Sequence, residues 1–265
     1  MTAALHTDVA GPEGAPLVVL HHGFAGSARN WRPQMRALRA RARVVAYDAR
    51  GHARSAARLE TARFGLDDFA RDLGDVADAH GGAAARFVAG GLSLGAAVAL
   101  RFALRDVSRV RGLVLAAHPA GRAGQGGFAA RAEAFAVALE REGLEKAGAR
   151  FVWGPDSGLD PQAAALVRRG FLEHPAASLA AILRQAIAVL PSPSELAGEL
   201  AALRVPALVV VGTRDAGSLE PCRELARLLP DATLVEVPGA GHVVNLAAPA
   251  AFDAALLAFL DRIDR

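Results

Sequence analysis

The chain has 265 residues, which suits one large domain with an insertion, and its 52% apolar content with a net charge of +3 favours a globular protein with a well-filled core. No apolar run is long enough for a membrane span and no signal-peptide pattern is present, so we expect a cytoplasmic protein. The single cysteine, Cys222, excludes an internal disulfide and a cysteine metal cluster. The arginines are not interleaved with aromatic residues, so nucleic acid is not an expected partner. Without a membrane span, a membrane is not an expected partner either.

Short apolar runs alternate with helical patterns along most of the chain. Continuous apolar runs of this kind are typical of strands that are covered on both faces. They predict strands at 17–20, 44–47, from 87 into the following glycines, 110–116, 207–211 and 233–237. Helical spacing predicts helices from about 32, over 66–79, directly after Ser93 and from Pro249 onward. This alternation predicts an α/β fold with a doubly wound, mainly parallel sheet.

Residues 120–203 interrupt the alternation. They contain no strand-like run, and their apolar spacing predicts helices over 128–146, 161–173, 178–189 and 194–203. Because this stretch lies between two predicted strands of the sheet, we interpret it as a helical lid inserted above the sheet. The predicted organisation is therefore a core of residues 1–119 and 204–265, with a lid of residues 120–203.

The stretch FVAGGLSLGAAVAL, residues 87–100, predicts a strand, a Gly-x-Ser-x-Gly turn and a helix in immediate succession. A serine on such a turn has its hydroxyl held out from the backbone, beside the first N–H groups and the positive end of the helix. Gly91 and Gly95 lack side chains where backbone and helix must pass close to the turn. Ser93 is therefore a candidate nucleophile.

Two further residues follow predicted strands in the order that a serine hydrolase requires. A serine hydroxyl needs an adjacent base, and His242 can take its proton and return it to the leaving group. Asp215 can orient that imidazole and stabilise its charged form. An oxyanion hole needs two N–H groups, for which we expect Leu94 and Phe24, with Gly23 as the flexible neighbour of Phe24.

These motifs resemble those of the α/β-hydrolase superfamily over essentially the whole chain. The matching pieces are HHGFAGS, YDARGHARS, GGLSLGA, GTRD and GAGH, each after its predicted strand. The resemblance implies a nucleophile at Ser93, an acid at Asp215, a base at His242 and oxyanion donors at Phe24 and Leu94. It implies hydrolysis of a small-molecule carboxylic ester or lactone through an acyl-enzyme, without a cofactor, by a monomer or homodimer.

Two other functions remain open at this point. GFAGSARNW, AAHPAGR, ASLAAILRQAIAVLP and GTRD are similar to the menaquinone-pathway synthases, which eliminate pyruvate from a succinyl-cyclohexene carboxylate. That family carries an arginine near the place of Ala97 and a lysine just after the acid, and this chain has neither. The first alternative is thus a lyase or C–C bond hydrolase that uses the same triad, with a general likeness to enol-lactone hydrolases as well. The second is a ligand-binding receptor with little turnover.

The remaining histidines and tryptophans are interpreted more simply. His22 matches the family's His-Gly pair and, with Gly23, His118 and Trp153, is a candidate to line the substrate site. His174 has no partner in the sequence, so we expect it on the surface. No spacing of histidine and carboxylate residues predicts a metal site.

Overall fold

The computed structural model describes residues 5–56, 63–122, 127–154 and 161–264 and contains a seven-stranded sheet. The strands are β1 (Thr7–Ala10), β2 (Leu17–His21), β3 (Arg43–Tyr47), β4 (Phe87–Leu92), β5 (Val110–Ala116), β6 (Ala207–Gly212) and β7 (Ala232–Val237). Their order across the sheet is β1-β3-β2-β4-β5-β6-β7, and every pairing is parallel except that of β1 with β3. The predicted mainly parallel α/β sheet is confirmed. β1, an edge strand of only four residues, was not predicted from the sequence.

Helices cover both faces of the sheet. They are α1 (Arg32–Leu38), α2 (Leu66–Gly81), α3 (Leu94–Arg105), α8 (Leu219–Leu228), α9 (Val244–Ala247) and α10 (Pro249–Ile263). Successive strand residues point to opposite faces, so Val19 packs in the apolar cluster shared with α2 and α3, whereas Val18 and Leu20 pack in the cluster shared with α1 and α10. The sheet is therefore buried between two apolar layers, as its continuous apolar strands predict.

A run of helices lies between β5 and β6, and we call residues 128–202 the helical segment. It contains α4 (Phe128–Phe151), α5 (Pro161–Phe171), α6 (Ala176–Gln185) and α7 (Ala197–Ala202). α4 is broken at Gly143, whose φ of 80° is not helical and is open to glycine. The segment has an apolar cluster of its own, which includes Phe135, Leu139, Phe171, Leu179 and Leu183.

None of the described helices is by itself long and apolar enough to cross a membrane. The pair Ala176–Val189 and Ser194–Ala202, bent by 60°, passes the same test of length and composition when it is taken together.

The direction of chain winding changes between β2 and β4. From β2 the chain runs through α1 to β3 on one side, and from β4 it runs through α3 to β5 on the other. In parallel α/β sheets a crevice forms at the carboxyl ends of strands where the winding diverges in this way, and ligands bind there. The loop after β2 and the turn after β4, which carry Gly23 and Ser93, meet at this point.

Candidate active site

Ser93 lies on a strained turn between β4 and α3. Its φ of 55° and ψ of −115° are outside the regions that L-residues prefer, and such strain is held in place by the surrounding structure. The Ser93 N–H donates to the carbonyl of Ala116 at 2.8 Å. A Cβ on Gly91 would overlap the backbone of Gly95, and one on Gly95 would overlap the carbonyl of His21. These two glycines thus have the role that the motif predicts.

Asp215 and His242 form a hydrogen-bonded pair after β6 and β7. His242 Nδ1 lies 2.7 Å from Asp215 Oδ2, and the Asp215 side chain is 8% exposed whereas that of His242 is 47% exposed. A carboxylate only accepts hydrogen bonds, so Nδ1 carries the proton and Nε2 is the free basic nitrogen. Burial by itself would raise the pKa of Asp215, but hydrogen bonds from His242 and Ser218 outweigh it and lower that pKa. The pair is therefore arranged as an oriented base.

Ser218 is part of this site, although the sequence analysis did not identify it. It precedes α8 at the N-cap position, where a serine usually accepts a hydrogen bond from the helix, yet its side chain makes no cap hydrogen bond. Its Oγ instead lies 3.5 Å from His242 Nδ1 and 3.3 Å from the carbonyl of Ala117, and the residue is 2% exposed. An N-cap serine three residues after the predicted acid is a signal that could have identified it.

The structure brings Asp215 and His242 together and places Ser93 at the same edge of the sheet. Ser93 follows β4, and the neighbouring strand β5 leads to Ala117, whose carbonyl contacts Ser218 beside the Asp215–His242 pair. Among the described residues, the Ser93 hydroxyl makes no hydrogen bond. Catalytic hydrogen bonds are often long before substrate binds.

The loop after β2 presents a tight turn to Ser93. Gly26 N–H donates to the Gly23 carbonyl at 3.0 Å, which closes a turn over Phe24 and Ala25. A Cβ on Gly23 would lie 3.5 Å from Ser93 Cβ, an ordinary van der Waals distance, so this loop lies directly beside the turn that carries Ser93. Within the described residues, neither the N–H of Phe24 nor that of Leu94 donates a hydrogen bond. Among the described residues, both predicted oxyanion donors are thus unpaired, one in the loop after β2 and the other at the first residue of α3, next to Ser93.

The two histidine candidates for the substrate site occupy different environments. His22 is fully buried; its Nδ1 lies 2.7 Å from the Gly23 carbonyl and its Nε2 accepts the Ala49 N–H at 3.0 Å. Since the backbone engages both ring nitrogens, His22 supports the loop and has no ring atom left for a ligand. His118 is also buried, and it lines a cavity of about 20 Å³ with Ala97 and Leu190. That cavity lies along α3 from Ala97 to Leu104 and has room for one water molecule.

Trp153 packs inside the helical segment. Its ring contacts Phe171 edge-on with centroids 5.3 Å apart, and it covers Gly148 so closely that a Cβ there would overlap it. These contacts pack Trp153 against the segment's apolar cluster, so packing accounts for a tryptophan here and no contact with a substrate is needed to explain it.

The expectation for His174 is wrong. The residue is 4% exposed, and it hydrogen-bonds to two loops of the sheet. Its partners are 121 and 149 residues away along the chain, so no local pattern could have predicted them.

Among the described residues, no group of three or more histidine, cysteine or carboxylate side chains is arranged to hold a metal ion.

The chain is similar to several known proteins in sequence and in fold. A protein of Variovorax paradoxus named as a carbamate hydrolase, RutD, is 32% identical over 98% of this chain and 97% of its own length. An esterase from Thermogutta terrifontis is 27% identical and superimposes with a TM-score of 0.85 over 98% of this chain and 93% of its own. The enol-lactonase of Burkholderia xenovorans is 26% identical, with a TM-score of 0.83 over 97% and 96% of the two chains.

The model of the alpha/beta hydrolase family matches residues 18–255, a range that includes Ser93, Asp215 and His242. The chain therefore belongs to the alpha/beta hydrolase family.

Proposed function

We propose that the protein is a serine hydrolase that cleaves a small carboxylic ester or lactone through an acyl-enzyme on Ser93. The observation that carries this proposal is the strained serine at the carboxyl edge of the sheet together with the Asp215–His242 hydrogen bond of 2.7 Å. A strained serine and an oriented imidazole are the two parts that nucleophilic catalysis requires. The helical segment, which follows β5 at this edge, would serve as the lid.

The reaction follows from these parts in two steps. His242 Nε2 takes the proton of Ser93 as its oxygen attacks the acyl carbon, and the N–H groups of Phe24 and Leu94 hold the resulting oxyanion. The C–O bond to the leaving group then breaks, and His242 returns the proton to the departing oxygen. Water, deprotonated by His242, attacks the acyl-enzyme and releases the carboxylic acid and free Ser93.

Asp215 keeps the imidazole in the required tautomer throughout. Because its carboxylate pKa is lowered by the hydrogen bonds from His242 and Ser218, it stays ionised at neutral pH and stabilises the imidazolium that forms in each step.

The relatives support this class of substrate and add a second candidate. The names esterase and enol-lactonase belong to solved structures 27% and 26% identical to this chain. The carbamate hydrolase relative is more similar, at 32%. A carbamate has an acyl carbon that the same serine can attack, so carbamate cleavage is the second candidate function.

The elimination alternative is weaker on the residues present. The structure named MenH from S. aureus shares the fold with a TM-score of 0.86 but is 21% identical. This chain has Ala97 on the first turn of α3 and Ala216 and Gly217 directly after the acid, none of which brings the positive charge that a polyanionic substrate requires.

The test is hydrolysis of p-nitrophenyl acetate, butyrate and octanoate, a five-membered lactone and a phenyl carbamate by wild type and Ser93→Ala. We expect a burst of p-nitrophenol and a mass increase of one acyl group on Ser93, both lost in the variant, with turnover reduced by about 10⁴-fold or more. Ser108→Ala, which changes an exposed serine, is the matched control. Folded wild-type protein without turnover or adduct on any substrate would contradict the proposal, and the chain-length profile would measure the acyl pocket.

A further inference from the structure

His174 joins the helical segment to the loop that carries one of the proposed oxyanion donors. It lies between α5 and α6, and its Nε2 lies 2.8 Å from the carbonyl oxygen of Ala25. Its Nδ1 accepts the N–H of Ala53 at 2.9 Å, so the proton of the neutral ring is on Nε2, which donates to Ala25. Two backbone groups thus determine both the ring orientation and the tautomer of a buried histidine.

The bond to Ala25 holds the turn from Gly23 to Gly26. Ala25 O and Gly26 N belong to one peptide plane, and hydrogen bonds fix that plane at both atoms. His174 donates to the Ala25 oxygen, and the Gly26 N–H donates to the Gly23 carbonyl at 3.0 Å. The Gly23 carbonyl in turn shares its peptide plane with the N–H of Phe24, and it also accepts from His22 at 2.7 Å. The direction of the Phe24 N–H therefore depends on His174 through two peptide planes, which the hydrogen bond from Gly26 to Gly23 joins.

This turn needs an external partner. Ala25 has a φ of 53°, a left-handed conformation that costs a residue with a Cβ about 1 kcal/mol or more relative to glycine. A hydrogen bond to a buried partner contributes about 1 kcal/mol, which is enough to offset that cost. Without it, the turn would be free to relax to a conformation in which the Phe24 N–H points elsewhere.

Two further contacts join the same loop to the helical segment. Arg29 pairs with Glu173, next to His174, with Nη1 at 2.7 and 2.9 Å from the two carboxylate oxygens. Phe24 itself packs edge-on against Phe135 of α4, with ring centroids 5.8 Å apart. The ion pair is partly exposed and contributes little by itself, but the three contacts together show that this loop packs on the helical segment as well as on the sheet.

We propose that His174 is a positioning residue through which the helical segment holds the Phe24 N–H in place for the oxyanion. This inference rests on the proposed function, because it assigns His174 a part in transition-state stabilisation. The proposal assigns a different role to each ring nitrogen of His174. The N–H at Nε2 holds the turn at Ala25, whereas the acceptor at Nδ1 holds the neighbouring loop at Ala53.

Two substitutions separate these roles. In His174→Gln the side-chain amide reaches the place of Nε2 and can still donate to Ala25, whereas in His174→Asn the shorter amide reaches the place of Nδ1 and leaves Ala25 without its donor. We expect His174→Asn to lower kcat on the ester that wild type cleaves best by roughly 10- to 100-fold, below the full effect of removing an oxyanion donor. KM should change less than about threefold, since the bond acts on the transition state, and His174→Gln should keep most of kcat.

The control is Glu173→Gln, which weakens the neighbouring ion pair and leaves both bonds of His174 in place; its kcat should equal that of wild type. Hydrogen exchange of the peptide that covers residues 22–31 supplies a measurement that does not depend on activity. We expect faster exchange in His174→Asn than in wild type and His174→Gln, at a temperature where thermal unfolding shows all three to be folded.

Equal kcat in wild type and His174→Asn, or equal losses in the Asn and Gln variants, would overturn the proposal. Should His174→Asn fail to fold, His174→Gln decides. Unchanged hydrogen exchange over residues 22–31 together with a large loss of kcat in that variant would also overturn the proposal. If wild type cleaves no ester, lactone or carbamate, the proposed function fails while the exchange measurement still decides whether His174 holds the turn.

Discussion

Gly95 lies where the first turn of α3 passes the end of β2. A Cβ at this position would overlap the His21 carbonyl and lie 2.7 Å from that of His22, and both are backbone atoms at the centre of the sheet. Neither the helix nor the strand can move without disturbing Ser93 or the loop after β2. The glycine of the motif is therefore required by the packing of the elbow against its neighbouring strand, in addition to the turn itself.

We expect Gly95→Ala to lower the free energy of unfolding by about 3 kcal/mol or more, since its overlap is with backbone and not with a flexible side chain. Urea denaturation measures the change. Gly170→Ala is the matched control, because a Cβ there would have nothing within 4 Å, and its stability should be unchanged or higher by up to about 1 kcal/mol. Equal midpoints for wild type and Gly95→Ala would show that the close approach is not as the structure has it.

At the scale of elements, buried amide side chains join α9, which follows His242, to α1, which follows the Gly23–Gly26 turn. Asn245 in α9 follows His242 by three residues, and its Nδ2 donates to the Asn30 carbonyl at 2.9 Å and to Gln34 Oε1 at 3.2 Å. Gln34 Nε2 in α1 donates back to the Asn245 carbonyl at 3.1 Å. Because both side chains are fully buried, these bonds hold α1 and α9 in one relative position.

Asn245→Ala should cost about 2 kcal/mol of stability, because it leaves the Asn30 carbonyl and Gln34 Oε1 buried without a donor. It should also lower kcat/KM by about tenfold, since the base and the oxyanion turn then lose a fixed spacing. Chemical denaturation and steady-state kinetics measure the two effects.

Asp253→Ala is the control for that experiment. Asp253 accepts from Gln34 at 2.8 Å at the partly buried end of the same network, so its removal should cost less stability and leave kcat/KM within about twofold of wild type. The linkage between the two loops would be refuted if Asn245→Ala lost stability and kept its full catalytic rate.

For the whole molecule, an unusual feature is a row of buried histidines behind the site. His22 contacts both His21 and His52, and His52 contacts His174, with ring centroids between 4.8 and 5.3 Å apart. Burial, which disfavours the charged ring, lowers the pKa of His21 and of His22 to about 3 and that of His52 and His174 below the ordinary 6.5. These rings are therefore neutral in the folded protein.

The consequence is a dependence of stability on pH. Each of these groups has a lower pKa in the folded chain than in the unfolded chain, so the unfolded chain binds more protons below pH 6.5. Their contribution to stability is fully present above pH 6.5 and is lost as the pH falls toward the lowered folded pKa values, which are about 3 for His21 and His22. We expect the free energy of unfolding to fall steeply between pH 6.5 and 4, by about 1.4 kcal/mol per pH unit for each proton taken up.

His21→Phe tests this dependence, because the ring packs edge-on against Tyr47 and Phe69 and its Nε2 has no hydrogen-bond partner among the described residues. The variant should have an acid slope shallower by about one proton. Tyr47→Phe removes a neighbouring buried hydroxyl that does not titrate in this range, since burial raises its pKa well above 10, and should leave the slope unchanged. Identical slopes for wild type and His21→Phe would contradict the assignment.

Much of the fold could be predicted from the sequence, because its signals are local. Five of the predicted strands end within one residue of their observed bounds, since continuous apolar runs mark strands buried on both faces. The order of Ser93, Asp215 and His242, each after a strand, was enough to place all three at one edge, because parallel strands have their carboxyl ends on the same side. The boundaries of the proposed lid, residues 120–203, and the roles of the site residues stay predictions.

The tertiary structure alone decided which polar side chains support those residues. Ser218, Asn245 and His174 lie at helix ends or in connections, where no periodicity reports what a side chain faces, and their partners are up to 215 residues away. The local sequence around a single histidine is the same kind of pattern whether the side chain lies on the surface or is buried between two loops. The sequence by itself thus determined the elements and the chain order of the candidate triad, and packing determined which buried hydrogen bonds hold them, because burial is a property of the assembled chain.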